Sequence, residues 1–265
     1  EIGWGSCEAP EHTAVRRWII RSDHVDKDPF GNMTVKANMH APGRGMEKVT
    51  GESGPEDPQL SLISFKGLDG NPIAVLANFS MHYFAGEQGI SADYFGLFSE
   101  GLKDELSTNK NFVGIMSHGC SGDIWRRDYS KPAQKIKIEE YSKQMTKMAV
   151  DVYKNMKHYT ADTLRMKEVR KEYDLRVPSN ERLVWAKDII AKMGDRGPKS
   201  QTEVYAHEAL IINDLKKKTI VQQAIQIGDI GIATTPCETY ALTGIKIKER
   251  SPLPKTMVIE LANGF

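Results

Sequence analysis

The chain has 265 residues, of which 40% are apolar and 27% charged, values typical of a globular protein that buries a sizeable core. Its 36 basic and 35 acidic side chains leave a net charge of +1, so the composition shows no footprint for nucleic acid or an anionic membrane surface. No apolar run approaches the roughly 18 residues that a transmembrane segment needs.

Three cysteines, Cys7, Cys120 and Cys237, are odd in number and widely spaced. This pattern predicts small thiols rather than a disulfide framework, although it leaves one disulfide open. Because no CxxC motif occurs, a thiolate zinc site is not expected.

Residues 1–58 show no sustained periodicity, and we interpret them as long ordered loops anchored by Trp4, Trp18 and Phe30. Strands are predicted at 60–65 and 72–82 around an Asp69-Gly70 turn, followed by a helix capped by Ser91 or Asp93 and a strand at 112–116. Next come an amphipathic helix with Tyr141 and Met145 on its apolar stripe, an exposed strand within 162–177, and helices near 180–193 and 202–216 capped by Ser179 and Thr202. The last predicted elements are a hairpin of 220–227 and 230–234, a helix near 239–249 and a strand at 257–261. This order predicts an α/β fold with a mixed β-sheet core flanked by helices.

Polar side chains follow three of the predicted strands, at the carboxyl ends where open α/β sheets bind their ligands. His82 ends the strand at 72–82. The strand at 112–116 is followed by Ser117, His118, Ser121 and Asp123, and the strand at 230–234 is followed by Thr235, Cys237 and Glu238. An imidazole and a carboxylate are typical ligands of catalytic zinc, so His82 and Glu238 are candidate metal ligands. The pattern alone favours a simpler role for His82, as a hydrogen-bonded strand-end histidine. For Glu238 it leaves open an interaction with the dipole of the following helix.

Motifs at these positions resemble the neutral/alkaline ceramidases. The matching segments are 76–82 (Leu-Ala-Asn-Phe-Ser-Met-His), 90–96 (Ile-Ser-Ala-Asp-Tyr-Phe-Gly), 119–124 (Gly-Cys-Ser-Gly-Asp-Ile), 235–238 (Thr-Pro-Cys-Glu) and 259–265 (Ile-Glu-Leu-Ala-Asn-Gly-Phe), and they occur in the family's order. Residues 3–6, 11–17 and 54–58 are similar to a ceramidase-like branch common in environmental bacteria. The resemblance implies that 1–265 is an internal part of one catalytic domain, with a loop-rich part at 1–58 and an α/β core at 59–265.

The resemblance also implies a Zn2+ cofactor bound by His82 and Glu238, together with a histidine upstream of residue 1 and a tyrosine beyond Phe265. Phe265 itself aligns with the first of two nearby tyrosines and has no hydroxyl to ligate a metal. Arg16, His118 and Asp123 are then the catalytic candidates. Arg16 would hold a substrate oxygen through its forked donors, and His118 would donate to a developing oxyanion.

Simpler roles stay open for several of these residues. Arg16 could form a structural ion pair, His118 could anchor its loop, and Asp123 could hydrogen-bond the backbone of its own turn. For Asp93 two roles are open, which are orienting the His82 ring and capping its own helix.

One departure from the family changes the expected chemistry. Where the ceramidases carry a serine implicated as nucleophile, this chain has Trp125, which cannot attack an amide. The resemblance, with this departure, therefore implies hydrolysis of an amide or related acyl bond in a small-molecule or lipid substrate by zinc-bound hydroxide. Trp125 argues against ceramide as the substrate but leaves that question open. The family is mostly exported, which implies a periplasmic or extracellular location.

Two alternatives follow from the same residues. The first is a degenerate homologue that binds a lipid or glycan without turnover. The second is a metal-free esterase using Ser121 and His118, for which the sequence offers no third member.

Overall fold

The computed structural model describes residues 1–38, 45–86, 89–106, 109–133 and 135–264. Its strands are β1 (Ile2–Glu8), β2 (Ala14–Val15), β3 (Trp18–Ile20), β4 (Asp26–Lys27), β5 (Met33–Val35), β6 (Ala37–Asn38), β7 (Val49–Glu52), β8 (Gln59–Lys66), β9 (Pro72–Phe79), β10 (Val113–His118), β11 (Ile124–Trp125), β12 (His158–Tyr159), β13 (Leu164–Asp174), β14 (Lys217–Ile227), β15 (Ile230–Thr234) and β16 (Lys255–Ile259). Its α-helices are α1 (Asp93–Leu106), α2 (Ile138–Lys154), α3 (Asn180–Met193), α4 (Gln201–Leu215) and α5 (Ala241–Arg250).

Two mixed sheets form the centre of the fold. The first has the strand order β10-β9-β8-β1-β12, and the second has the order β13-β14-β15-β16. Each sheet contains one parallel pair, β9 with β10 and β15 with β16, while its other neighbours are antiparallel. The predicted mixed-sheet α/β fold is therefore confirmed.

The central strand β8 of the first sheet is buried on both faces, and its alternation sorts the side chains between two cores. Leu60 and Leu62 of β8 pack with α1 and α2, whose buried residues include Tyr94 and Met145. Ile63 points to the opposite face, where it joins a second core, shared with the second sheet, that contains Ile2, Ile230, Ile232 and Met257. The result is a layered arrangement of helices, first sheet and second sheet.

The two sheets also meet at one edge, at the carboxyl ends of their parallel pairs. The side-chain amide of Asn78, near the end of β9, donates to the backbone oxygen of Val258 in β16 over 3.1 Å. The backbone amide of Glu260 donates to the backbone oxygen of His118 over 3.0 Å. This edge therefore gathers loops from both sheets.

Residues 1–58 differ from the expected loops, because β1 lies inside the first sheet between β8 and β12. Smaller pairings occupy much of the remainder, with β3 between β6 and β7, β4 beside β5, and β2 beside β11. The β2–β11 pairing joins this N-terminal part to the loop that follows β10.

Most other predicted elements lie within a few residues of their expected bounds, but one helix cap differs. Ser179 caps α3 as expected, whereas α4 is capped by Ser200, whose side chain accepts from Glu203, and not by Thr202. The three cysteines are free thiols. Among the described residues, no helix is both long and apolar enough to cross a membrane.

Candidate functional site

The parallel pairs place three loops at the shared edge of the two sheets. His82 lies three residues beyond the end of β9, His118 is the last residue of β10, and Glu238 lies four residues beyond the end of β15. Because parallel strands end at the same edge, this pairing explains why side chains distant in the sequence come together.

His82 and Glu238 converge in space. The Nε2 atom of His82 lies 4.0 Å from Oε1 of Glu238, with a nearly buried imidazole and a half-exposed carboxylate. Two ligand atoms of a tetrahedral zinc ion lie about 3.3 Å apart, so a small side-chain adjustment would let both atoms reach one ion. The donor types and the separation therefore fit zinc.

The pair alone is an incomplete zinc shell. Within the described part of the chain, no group of three or more His, Cys, Asp and Glu side chains is arranged to hold a metal ion. Catalytic zinc commonly has three protein ligands. The metal-ligand roles of His82 and Glu238 thus remain predictions.

Arg16 is the third ionisable residue at this point. It is 4% exposed, its Nη2 donates to the backbone oxygen of Gly122 over 2.9 Å, and the same nitrogen lies 3.7 Å from Oε2 of Glu238. Burial lowers the pKa of Arg16, and Glu238 opposes that change. The guanidinium is therefore held beside the carboxylate that faces His82. This contact corresponds to the alternative ion-pair role of Arg16, and its catalytic role stays a prediction.

His118 lies behind this group. Its ring centroid is 5.8 Å from that of His82, and its Nε2 is 3.1 Å from the Ser121 hydroxyl. Burial, and secondly the nearby His82, lower the pKa of His118 to about 4. In this environment the imidazole is neutral at pH 7.

Asp123 makes contacts that are mainly to the backbone. It is 1% exposed, and its Oδ1 accepts a hydrogen bond from the amide of Ala241, the first residue of α5, over 2.9 Å. Burial raises the pKa of this carboxyl. Asp123 thus fixes the helix that follows the Glu238 loop, and its predicted catalytic role has no contact among the described residues that would demonstrate it.

Asp93 holds the loop after His82 and does so through backbone amides. Its carboxylate accepts from Phe84 over 2.6 Å, from Ala85 over 3.2 Å and from Tyr94 over 2.8 Å. The last of these bonds lies in the first turn of α1, so the carboxylate joins the helix start to the His82 loop.

Aromatic rings form the wall beside His82. The Tyr83 ring lies 4.5 Å and the Trp125 ring 6.1 Å from the imidazole, centroid to centroid. Arg126 stacks over Phe84 at 4.0 Å and donates to its backbone oxygen. Trp125 therefore lies near the predicted metal ligand, so no hydroxyl nucleophile comes from this position.

Glu260 is a member of the site that sequence reasoning missed. It directly follows β16 and is 2% exposed. Burial raises the pKa of its carboxyl to about 7, against hydrogen bonds from Ser121 and Thr239 that favour the charged form. The one available signal was an acidic residue inside an apolar segment at 257–261.

The site and fold together define an α/β protein with a histidine–carboxylate pair at the strand ends, and solved ceramidases share this fold. The crystal structure of neutral ceramidase from Pseudomonas aeruginosa matches 99% of this chain at a TM-score of 0.59 and 16% sequence identity. A structure of ceramidase complexed with C2 matches 100% of it at a TM-score of 0.59 and 13% identity.

This chain spans 45% and 47% of those two chains. The predicted resemblance to neutral ceramidase is thereby confirmed at the level of the fold. No protein-family model matches the sequence, and a comparison with curated proteins gives no match either.

Proposed function

We propose that the full-length protein is a zinc-dependent hydrolase that cleaves an amide or related acyl bond. The observation that carries this proposal is the 4.0 Å approach of His82 Nε2 to Glu238 Oε1. The fold that the chain shares with ceramidase structures supports a hydrolase of this kind. A small-molecule or lipid amide as substrate, and a periplasmic or extracellular location, belong to the same proposal.

His82 and Glu238 would hold the metal in this hydrolase, which when bound supplies a Lewis acid and water acidified to a pKa of about 7. Arg16 keeps its guanidinium beside Glu238, where its positive charge offsets negative charge that develops on a substrate oxygen. His118, 5.8 Å from the His82 ring, would support the same region from behind, because its Nε2 lies 3.1 Å from the Ser121 hydroxyl. The Tyr83 and Trp125 rings lie beside the imidazole, where they would offer apolar surface to a bound substrate.

A metal-free serine esterase is less well supported by the geometry. Ser121 and His118 do lie within hydrogen-bond distance, at 3.1 Å. However, Ser121 is 0% exposed and its hydroxyl donates to Oε1 of Glu260 over 2.7 Å. A nucleophile must reach its substrate, and the proton of this hydroxyl is already given to a carboxylate.

A binding protein without turnover is the second candidate, and the aromatic wall favours it. Tyr83 is 50% exposed, and its ring meets that of Trp125 edge to face at 6.3 Å. Exposed aromatic rings of this kind offer stacking surface to a lipid or glycan.

The direct test is the zinc content of the purified full-length protein, measured with the hydrolysis of a panel of N-acyl and O-acyl substrates. We expect about one zinc per chain, chelator-sensitive hydrolysis, and loss of both in His82→Ala and Glu238→Gln. His24→Ala, which removes an exposed histidine, is the matched control and retains both. An active, metal-free wild type would refute the proposal, and a zinc-free protein that binds ligands without hydrolysis would favour the second candidate.

A further inference from the structure

Glu260 is a buried acidic side chain in an environment that otherwise favours apolar residues. Its side chain is 0% exposed, and the preceding strand β16 contributes the buried Met257 and Val258. A carboxylate in such a place is costly unless its oxygens are hydrogen-bonded, and an apolar residue would be cheaper. The contacts of the two oxygens therefore indicate why an acid lies there.

The two carboxylate oxygens lead to different parts of the candidate site. Oε2 accepts a hydrogen bond from the backbone amide of Thr239, the residue after Glu238, over 2.6 Å. Oε1 accepts from the Ser121 hydroxyl over 2.7 Å, and the same hydroxyl lies 3.1 Å from Nε2 of His118. One side chain thus connects the loop of Glu238 with the ring of His118.

The backbone of Glu260 strengthens the second connection. Its amide donates to the backbone oxygen of His118 over 3.0 Å, so both the main chain and the ring of His118 are tied to this residue. Side-chain networks of this type fix rotamers when every member is satisfied, and the two side-chain contacts give each oxygen of Glu260 one donor.

We propose that Glu260 is a positioning residue of the candidate metal site, holding the Glu238 loop through the Thr239 amide and the His118 ring through the Ser121 hydroxyl. This inference rests on the proposed function, in which Glu238 binds zinc. Outer-shell groups that orient metal ligands typically change metal affinity about 10- to 100-fold when they are removed. The two branches of the network predict different consequences.

The experiment compares Glu260→Gln and Ser121→Ala in the full-length protein. In Glu260→Gln, an amide group replaces one acceptor oxygen, so we expect zinc affinity, measured by competition with a chelator, to fall about 10- to 100-fold. In Ser121→Ala only the His118 branch is cut, so we expect kcat to fall while KM and zinc affinity stay within about threefold of the wild type. Glu260→Asp, which keeps the charge but shortens the side chain, is expected to restore part of the zinc affinity.

Asp57→Asn is the control for the loss of a buried carboxylate. Asp57 is 6% exposed and forms an ion pair with Lys248 at 2.7 Å, so this variant is destabilised without losing a contact to Thr239 or Ser121. If Glu260→Gln only lowers thermal stability, as Asp57→Asn does, and binds zinc as the wild type does, the positioning role is refuted.

A second readout separates this inference from the proposed function. The ring resonances of His118 are recorded by NMR in the metal-free wild type and in Glu260→Gln, and we expect them to shift because the ring loses its fixed partner. If the wild type binds no zinc but these resonances shift, the positioning role stands and the zinc hydrolase fails. If the wild type binds zinc and neither its affinity nor the resonances change in the variant, the inference fails alone.

Discussion

Gly122 is the position where one added methyl group should damage the candidate metal site. A Cβ atom at Gly122 would lie 2.7 Å from the backbone carbonyl carbon of Glu238, and closer still to its oxygen, whereas ordinary contacts begin near 3.4 Å. The Glu238 backbone must therefore move by about 0.7 Å or more. The two loops cannot simply separate, because the Gly122 amide donates to the backbone oxygen of Thr239 over 2.9 Å.

The size of the effect follows from this displacement. Overpacking of this kind costs about 1–3 kcal/mol of unfolding free energy, and a comparable shift of a positioned group costs up to about 100-fold in function. We expect Gly122→Ala to lower zinc affinity about 10- to 100-fold and the unfolding free energy of the metal-free protein by about 2 kcal/mol. The measurements are chelator competition and urea unfolding in the presence of EDTA.

Gly197→Ala is the matched control, because an added Cβ there meets no atom within 4 Å. We expect it to match the wild type in both measurements. Unchanged zinc affinity in Gly122→Ala would show that the Glu238 carboxylate does not depend on this loop contact, and the reasoning about the site would be refuted.

Three further predictions concern buried charges. Asp123→Ala should lower the unfolding free energy by about 2–3 kcal/mol, because Ala241 at the start of α5 loses its buried acceptor; lost activity at unchanged stability, measured by urea unfolding, would instead support the predicted catalytic role. Lys248→Met should cost about 3–5 kcal/mol by leaving Asp57 buried without its ion pair, and a double variant with Asp57→Asn should recover part of that loss in the same assay. The carboxyl of Glu260, whose pKa is raised from 4.5 to about 7, gives stability that is fully present below pH 4.5 and lost as the pH rises to about 7. Across this pH window the free energy of unfolding of the metal-free protein, measured with urea, should therefore fall by about 3 kcal/mol more in the wild type than in Glu260→Gln. Parallel pH profiles of the two proteins would contradict this expectation.

The sequence was sufficient for elements whose periodicity is strong, but it missed β1. That strand reads Ile-Gly-Trp-Gly-Ser-Cys-Glu, a composition typical of a loop. The structure gives the reason, since a Cβ at Gly3 would lie 2.5 Å from Sδ of Met156 and one at Gly5 would lie 2.5 Å from Cγ1 of Val152. The segment around α2 packs directly on this strand, and this tertiary contact requires residues that local propensity assigns to turns.

The candidate site was predictable residue by residue but not as an arrangement. The polar residues after the predicted strands include His82, His118 and Glu238, and the structure places all three at the edge where the two sheets meet. Their separations depend on contacts between the sheets, such as the bond from Asn78 to Val258, which no local pattern encodes. Glu260 could not be recognised as a site residue from the sequence, because its neighbours in the chain are those of a buried strand.

The pairing at the shared sheet edge has a consequence for the order in which the protein folds. Arg16 lies beside Glu238 and Glu260 contacts Thr239, the next residue. Because almost the entire chain lies between Arg16 and Glu260, we expect the segments that carry them to come together late in folding. Closing such long intervals is entropically slow, and a partly folded chain would hold the helices and hairpins without the cluster. In the zinc hydrolase that we propose, zinc retention would therefore report completed folding, and losing the pairing of β16 with β15 would disrupt the site while leaving much of the secondary structure in place.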